Sequence, residues 1–463
     1  MNEVVSPIRH NESLSAGPVV ILVDNKIRDL HVATLIAHHL ETMNVPCHLE
    51  PLEAFRAAVG AYRPGMIVFN HLNASHLANW SRRLAGIGVL VGVLPNEGFV
   101  YDEESRPFMA GRYHHPHVDH FFCWNGLHRD ALLAEGKEKA QNVHVVGVPR
   151  FDFYFEPWSR ILPPAPPKTS NRPRILVCTN FIFSRFTEED AIRDMAYGDS
   201  HEKAATLRDY GGIVDAHKRA RRRLLDHLDA LIDDGRFEVL LRPHPNEDRS
   251  FYQAWLDGLS PERRACVLYD PNGSITSLIL SCDLEISCES CTTAVESWIA
   301  RKPTIALLFE QHPMLYRKQF AALNFNCDDP RVLPDLVARQ LAAPEQAEKR
   351  ELRAQHLETW CATPDGRAAW RIARIMADAV AAKKPADWSK LTANDYRRSM
   401  RLKLLRRMGH AYHFDASLWL KRSLFPEQYA VKDRGYRKSI RPGDVNRARQ
   451  RLQEVSDING PGI

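Results

Sequence analysis

The sequence lacks the features that mark membrane-spanning, secreted and disulfide-stabilised proteins. No apolar run comes near the ~20 residues needed to cross a bilayer, and the first residues have neither the basic start nor the apolar body of a signal peptide. Nine cysteines are scattered along the chain without the spacing of a disulfide framework. These absences predict a cytoplasmic protein whose cysteines are reduced.

Common nucleotide-binding and metal-binding motifs are missing as well. Gly86-Ile87-Gly88 begins like a dinucleotide fingerprint, but Val91 takes the place of the third glycine, and the pair precedes a predicted strand instead of following one. The chain has no Gly-Lys-Ser/Thr phosphate loop and no Asp-x-Asp motif. A nicotinamide enzyme is therefore excluded, and we expect no cofactor and no metal dependence.

A cluster of histidines stands near the end of the first quarter of the chain. Pro116 breaks any helical register there, and the spacing matches no standard zinc site. We therefore predict that this cluster binds no metal and lines the mouth of an acceptor site; its members are His114, His115, His117 and His120.

Short apolar runs alternate with helical patterns through most of the chain. A length of 463 residues exceeds the size at which one core keeps growing, so two domains are expected. This alternation predicts an α/β fold of two Rossmann-like domains facing each other across a cleft. The runs that predict buried strands are 19–23, 66–69, 89–93, 121–124 and 143–146, then 174–178, 237–241, 267–269, 284–286 and 304–308.

A proline-rich segment marks the expected boundary between the two domains. The prolines of residues 162–170 exclude a helix or a central strand and predict a stiff, extended linker. We place an N-terminal acceptor domain at residues 17–160 and a C-terminal donor domain at 172–345. A helical, basic extension is expected at 346–463.

The turn Arg242-Pro243-His244-Pro245 follows a predicted strand of the second domain. Its prolines favour an extended turn, from which His244 can donate a hydrogen bond to a phosphate oxygen. Arg242 can add charge-assisted bonds. Because open α/β sheets bind ligands at the carboxyl ends of their strands, this turn is predicted to hold an anion.

A hydroxyl-rich turn, with Ser290, Thr292 and Thr293, follows another predicted strand. Its hydroxyls and backbone N–H groups open a stretch with helical periodicity, and a helix N-terminus favours phosphate. Glu296 lies three residues after Thr293, which leaves two interpretations. The pair forms a capping box, or Glu296 bonds a ribose or sugar hydroxyl.

Five short motifs occur in a fixed order between residues 19 and 308: Asn96-Glu97-Gly98, Gly147-Val148-Pro149-Arg150-Phe151-Asp152, Thr179-Asn180-Phe181, Arg242-Pro243-His244-Pro245 and Cys291-Thr292-Thr293-Ala294-Val295-Glu296. In this order the chain resembles the bacterial surface carbohydrate biosynthesis proteins, which are similar to GT-B glycosyltransferases. More distantly, the last two motifs resemble parts of capsule Kdo transferases, sialyltransferases and CDP-glycerol glycerophosphotransferases. The resemblance implies that the donor phosphate is held by His244, Ser290, Thr292 and Thr293.

Other strand ends supply further candidates. Glu97 is either a turn residue or the base that accepts a proton from an attacking hydroxyl. Asn180 is a candidate for bonding the sugar or a phosphate. The resemblance to Kdo transferases implies a carboxylate nucleophile, for which Asp190 is the nominee, so retention or inversion stays open. Lys26 and Arg28 lie in a solvated loop or contact an anionic acceptor.

The charge balance changes from residue 383 onward. This segment has 19 Lys/Arg against 8 Asp/Glu, whereas the whole chain carries a formal net charge of +5. Met400, Leu404 and Met408 are spaced along one face of a predicted basic helix. The helix either packs on the domains or binds an anionic surface on the inner face of the cell membrane. No recognition motif supports a nucleic-acid partner.

These patterns and the resemblance predict a metal-independent glycosyltransferase. Its donor is expected to be a nucleotide sugar, CMP-linked and Kdo- or sialic-acid-like, and its acceptor a surface polysaccharide or lipid-linked glycan. His244 and the hydroxyl-rich turn would neutralise the leaving phosphate. The alternatives are a CDP-polyol polyolphosphate transferase, a non-catalytic glycan-assembly scaffold, and a sugar-nucleotide epimerase, whose Asp-Ser-Gly-Gly-type turn is absent at residues 290–294.

Overall fold

The computed structural model describes residues 17–96, 115–187, 210–310, 312, 316, 318–343, 347–362, 364–414, 416–425 and 438–459. These residues form two compact units. Unit 1 contains the described residues up to 150 and those from 367 onward, and unit 2 contains those from 151 to 366. The C-terminal segment, predicted as an extension, therefore belongs to unit 1 from residue 367.

Unit 1 is built on a six-stranded, all-parallel sheet, sheet A, with the strand order β2-β1-β3-β4-β5-β6. Its strands are buried apolar runs, as expected of parallel strands covered on both faces. The strands are β1 (Val19–Val23), β2 (Cys47–Pro51), β3 (Met66–Phe69), β4 (Leu90–Val93), β5 (His120–Cys123) and β6 (Val143–Val145). The helices between them are α1 (Lys26–Thr42), α2 (Phe55–Tyr62), α3 (Ser75–Ile87) and α4 (Gly126–Ala134).

Unit 2 has a second six-stranded, all-parallel sheet, sheet B, in the order β12-β11-β10-β7-β8-β9. Its strands are β7 (Arg174–Cys178), β8 (Glu238–Arg242), β9 (Val267–Tyr269), β10 (Leu284–Cys288), β11 (Thr304–Leu307) and β12 (Phe325–Cys327). Its helices are α5 (Tyr210–Asp234), α6 (Arg249–Asp257), α7 (Pro261–Arg264), α8 (Ile275–Ser281), α9 (Thr293–Ile299), α10 (Lys318–Leu323), α11 (Leu333–Ala342) and α12 (Ala347–Cys361). The predicted pair of Rossmann-like units is thus confirmed.

The C-terminal residues complete unit 1 with four more helices. They are α13 (Ala368–Ala382), α14 (Ala393–Arg407), α15 (Ala416–Leu424) and α16 (Pro442–Asn459). Helix α14 packs on α2, where the Ser399 hydroxyl donates to the Ala57 carbonyl over 2.9 Å. A Cβ at Gly60 would clash with Ser399, so glycine is required for this approach. Leu402 adds its side chain to the unit 1 core.

Short 3₁₀ helices occupy Leu52–Ala54, Ala140–Asn142, Pro149–Tyr154, Trp158–Ile161, Ile182–Arg185 and Trp388–Lys390. Within the described ranges, no helix is both long enough and apolar enough to span a membrane. The edge strands β2 and β12 are not among the predicted runs. In β2 the polar residues His48 and Glu50 interrupt the apolar sequence.

Candidate functional site

The strand order of sheet B places three connections at one edge. The chain order reverses between neighbouring strands β7 and β10, which is the point where such sheets bind ligands. Ser287, Cys178 and Arg242 pair across β10, β7 and β8 in one row. With neighbouring strands about 4.8 Å apart, the connections that follow these residues leave the sheet within about 10 Å of one another.

His244 lies in the connection after β8 and is a neutral hydrogen-bond donor. Its Nδ1 accepts a bond from the Asn246 N–H at 3.2 Å, so the ring proton belongs on Nε2. Burial, reinforced by the charges of Arg242 and Arg185, lowers the pKa of His244 to about 4. No described residue accepts a bond from Nε2, which leaves one N–H for a ligand.

Glu247 fastens the connection after β8 to the one after β7. Its Oε1 accepts from the Thr179 hydroxyl at 2.6 Å and from the Phe181 N–H at 2.8 Å, and Tyr252 donates to its other oxygen. The Thr179 hydroxyl in turn accepts the His244 N–H at 3.2 Å. Burial raises the pKa of the Glu247 carboxyl. Glu247 was not among the site residues predicted from the sequence, although it lies three residues after His244.

The connection after β10 bends through two non-glycine residues in the left-handed region. Glu289 has φ 48° and Ser290 has φ 55°, conformations that occur where the surrounding structure imposes them. Glu289 Oε1 accepts from the N–H groups of Phe309 and Glu310, at 3.0 and 3.2 Å. Asn180 joins this connection, because its side-chain amide donates to the Glu289 carbonyl at 3.3 Å.

Two buried polar atoms of this connection are left without a partner. Glu289 Oε2 and Ser290 Oγ have none among the residues that the structure describes. Burial raises the pKa of Glu289 to about 7. Buried polar groups in folded proteins are almost always hydrogen-bonded, so this pair of atoms is a candidate for bonding a ligand at this edge.

Thr293 and Glu296 are engaged inside unit 2. The Thr293 hydroxyl donates to Glu285 at 2.7 Å, and Glu296 accepts from the Tyr154 hydroxyl at 2.6 Å. The capping-box interpretation is therefore wrong, since α9 begins after Thr292 with no side-chain cap bond. Thr292 is half-buried and stands directly before α9. The bond to Glu285 argues against the predicted contact of the Thr293 hydroxyl with the donor, and the donor contacts of Thr292 and Glu296 stay predictions.

Two arginines bring positive charge to the site. Arg242 is half-buried and donates to the carbonyls of Gly273, at 3.4 Å, and Pro243. Arg185 ends the 3₁₀ helix after β7 and stacks on Phe186 at 4.5 Å. Arg185 is not among the residues predicted from the sequence. Pro245 is exposed beside His244.

The remaining candidates fall elsewhere. Glu97 and Asp190 lie outside the described residues. His117 bonds Asp119 and His120 bonds His144, each over 3.0 Å. His120 opens β5, so it lies at the amino edge of sheet A, opposite the ligand-binding edge. This position argues against an acceptor site lined by these two histidines, a role that stays a prediction. His114 lies outside the described residues. No group of three His, Cys, Asp or Glu in the described ranges is placed to hold a metal ion.

The carboxyl edge of sheet A holds a small cavity whose walls are largely apolar, with Ile21, Leu22 and Leu94 among them. Its polar lining residues are Arg28, Asp29, Asn70, Asn96 and Arg150. Its polar groups bind mainly one another. Asp29 accepts from Arg28 at 2.7 Å and from Asn96 at 3.2 Å, and Asn70 donates to Asn96 at 2.6 Å. Lys26 and Arg28, expected in a loop or at an acceptor, lie in the first turn of α1.

Comparison with known proteins adds little beyond this geometry. No protein-family model and no curated protein sequence matches the chain. A UDP-N-acetylglucosamine 2-epimerase structure is similar at 12 % identity, with 78 % of this chain and 95 % of that chain covered and a TM-score of 0.48. The wall teichoic acid polymerase TagF is similar at 10 % identity (79 % and 90 % covered, TM-score 0.48). The glycosyltransferase SnogD from Streptomyces nogalater is similar at 14 % identity, with 78 % of this chain and 99 % of that chain covered and a TM-score of 0.39. These values are too low to assign a function.

Proposed function

We propose that the chain is a glycosyltransferase and that unit 2 binds the phosphates of its nucleotide-sugar donor. The observation that carries this proposal is the set of polar groups without internal partners at the switch point of sheet B. The Nε2–H of His244 and the Ser290 hydroxyl are both hydrogen-bond donors that no described residue uses. Arg185 and Arg242 supply the positive charge that a phosphate requires.

The proposed chemistry is stabilisation of a leaving group. When the bond between the sugar and the donor phosphate breaks, negative charge develops on the phosphate oxygens. A neutral imidazole N–H, a hydroxyl and two guanidinium groups, fixed before the reaction, would stabilise that charge without having to reorganise. Glu247 would act as a positioning residue, because it holds the backbone that carries His244.

A CMP-linked, Kdo- or sialic-acid-like sugar is the donor we propose, and a surface polysaccharide or lipid-linked glycan the acceptor. We also propose that the protein works in the cytoplasm. The donor proposal rests on the resemblance of the His-Pro turn and the hydroxyl-rich turn to Kdo transferases and sialyltransferases. A base or nucleophile is left unassigned, since Glu97 and Asp190 are outside the described residues.

A thermal-shift panel with CMP, CDP, UDP, GDP and ADP tests the proposal. A ligand at about 100 times its Kd stabilises the folded state by about 2.7 kcal/mol. We expect CMP to raise the melting temperature of the wild type. His244→Ala should abolish the response, and His244→Gln should keep part of it, because its amide also donates. His413→Ala changes an exposed histidine of unit 1 and serves as the control.

Each other outcome redirects or overturns the proposal. A nucleotide response that survives His244→Ala would show that the phosphate site lies elsewhere. A response to CDP alone would favour a polyolphosphate transferase. A UDP response with isomerisation of the donor in the absence of any acceptor would favour an epimerase. Silence with all five nucleotides would favour the scaffold.

A further inference from the structure

Large exposed apolar side chains are concentrated in one short part of unit 1. Among the described residues, eleven large apolar side chains are exposed, and seven of them lie between residues 396 and 425. Scattered exposed apolar residues are ordinary, but a contiguous group marks an interaction surface. Four of the seven lie on or directly after α14, and we call them the apolar stripe: Tyr396, Met400, Leu404 and Met408.

The apolar stripe runs along the side of α14 that faces away from the unit 1 core. Its members are spaced four residues apart, so they follow one another along one face of a helix with about 3.6 residues per turn. Met400 is 67 % exposed, Leu404 60 % and Met408 56 %. The opposite face is buried and includes Ser399, Leu402 and Leu405. Helix α14 therefore has two apolar faces, and its fold uses only one.

Cations border the apolar stripe on both sides. In the helical projection Arg397 and Arg401 flank it on one side, and Lys403 and Arg407 on the other; all four are exposed. The acidic residue of α14 is Asp395, which is buried and bound to Arg83 at 2.6 Å. The exposed face of α14 is thus apolar along its centre and positive along its margins.

The same arrangement recurs in α15. Leu420 and Leu424 are four residues apart and exposed, Phe425 follows them, and Lys421 is exposed between them. Two successive helices of unit 1 therefore present apolar side chains with basic neighbours.

We propose that the apolar stripe and its cations bind an anionic membrane surface, with α14 lying parallel to it. Lipid headgroups supply the negative charge that the four cations match, and the acyl boundary accepts the methionine and leucine side chains. Long basic side chains can reach the headgroups while the stripe is immersed. Because the other face of α14 is fixed to α2, the helix can only lie on the surface.

Charge argues against the other occupants of this face. If a second copy of the chain bound through the same face, the four cations of one copy would face the four cations of the other and repel them. A nucleic acid would match the cations but would leave the methionine and leucine side chains without apolar contacts. An anionic lipid surface satisfies both parts of the face. The inference does not depend on the proposed function of unit 2.

Sedimentation of the full-length protein with vesicles tests the proposal. The probes are phosphatidylcholine vesicles containing about 30 % phosphatidylglycerol and vesicles of phosphatidylcholine alone, each at low and high salt. The apolar variant is Met400→Ser/Leu404→Ser, and the charge variant is Arg397→Ser/Arg401→Ser. Val332→Ser/Leu352→Ser removes two exposed apolar side chains from unit 2 and is the matched control.

We expect the wild type and the control to bind the anionic vesicles at low salt and to bind neutral vesicles far less. The charge variant should bind about thirtyfold more weakly, because each cation near an anionic surface contributes about fivefold in affinity. The apolar variant should lose at least as much, because it removes two side chains that would be immersed in the acyl boundary. All variants change exposed side chains, so their melting temperatures should match the wild type within a few degrees.

Three results would overturn the proposal. The first is a wild type that does not bind anionic vesicles, and the second is an apolar variant that binds them as well as the control. The third is a wild type that does not bind vesicles but binds another partner through this face. That partner would be a single-stranded oligonucleotide, or a second copy of the chain in a dimer that Met400→Ser/Leu404→Ser dissociates. Unchanged nucleotide responses in these variants would keep this test separate from that of unit 2.

Discussion

Two groups of buried polar side chains, one at each edge of sheet B, are bonded to different extents. At the amino edge, Arg174 and Glu238 open β7 and β8, and their side chains are 1 % and 2 % exposed. Arg174 donates to Glu238 at 2.5 Å and to the carbonyls of Pro166 and Pro167 at 2.7 and 2.8 Å. At the carboxyl edge, Ser290 Oγ and Glu289 Oε2 are equally buried and find no partner among the described residues.

The difference separates stability from function within one sheet. The proline-rich segment, predicted as a stiff, extended linker, also supplies the carbonyls of Pro166 and Pro167 that accept hydrogen bonds from the Arg174 guanidinium. A buried polar atom without a partner costs about 1–3 kcal/mol. The connection after β10 carries two such atoms and two left-handed residues, and a ligand that bonds the two atoms would recover part of that cost.

The largest effect should come from breaking the amino edge. Arg174→Met leaves Glu238 buried without its cation, which should lower the free energy of unfolding by about 3–5 kcal/mol. Although burial alone would raise the pKa of Glu238, bonds from Thr169 and Arg174 hold it below the usual value. This contribution is therefore present above about pH 4.5 and is lost as the pH falls below it.

Urea unfolding of Arg174→Met and of Arg174→Met/Glu238→Leu measures this effect. The double variant should recover most of the loss, because it removes both charges. Nucleotide responses should persist in both variants. A loss below about 1 kcal/mol in the single variant would contradict the proposed role of the amino edge.

The second-largest effect is expected at the carboxyl edge, on nucleotide affinity. Ser290→Ala removes an unpaired hydroxyl, so the free energy of unfolding without ligand should stay the same or rise. Affinity for the nucleotide should fall by about ten- to a hundredfold, the size of one hydrogen bond to a charged group. Ser297→Ala, which removes another buried serine hydroxyl from the following helix, should leave affinity unchanged. Equal nucleotide titrations for the wild type and Ser290→Ala would refute this assignment.

The pH dependence of unfolding tests Glu289. Burial raises the pKa of its carboxyl from 4.5 to about 7 in the folded protein. A raised carboxyl pKa stabilises the fold below about pH 4.5, and this contribution is lost as the pH rises to about 7. Glu289→Gln keeps an oxygen that can accept from Phe309 and Glu310, so its unfolding free energy should change less across this window. If the unfolding free energies of the wild type and Glu289→Gln change with pH in the same way, Glu289 does not titrate in this range.

The smallest effects should distinguish two neighbouring threonines. Thr293→Val removes the bond to Glu285 and should cost about 1–3 kcal/mol of stability without changing nucleotide affinity. Thr292→Val should leave stability within about 0.5 kcal/mol and weaken nucleotide binding by a few fold. Melting and titration of both variants provide the check, and the reverse pattern would place Thr293 in the site.

The sequence predicts every strand of the two sheets except the edge strands β2 and β12, while the other two edge strands, β6 and β9, lie within predicted runs. Buried parallel strands such as β1 and β7 are continuous apolar runs, and the structure has them over the predicted residues. The edge strand β2 alternates polar with apolar residues, and β12 is three residues long. Both therefore give weak signals, and neither was predicted.

Within the site, the strand ends were predictable and the side-chain directions were not. The position of His244 after β8 follows from the proline turn. The side chain of Thr293 is directed by its bond to Glu285 in β10, and that of Glu296 by its bond to Tyr154, which is 142 residues away in the sequence. The left-handed conformation of Glu289 has no sequence signature, since neither it nor Ser290 is a glycine.

The divided sequence of unit 1 has a consequence for synthesis. The described residues of unit 2 all lie between residues 151 and 366, whereas the core of unit 1 also requires Leu391, Leu402 and Tyr412 from much later in the chain. On the ribosome, unit 2 can fold as soon as it emerges, but the first sheet must wait with exposed apolar strands until α14 has been made. Chaperone dependence should therefore fall mainly on the segment that is synthesised first.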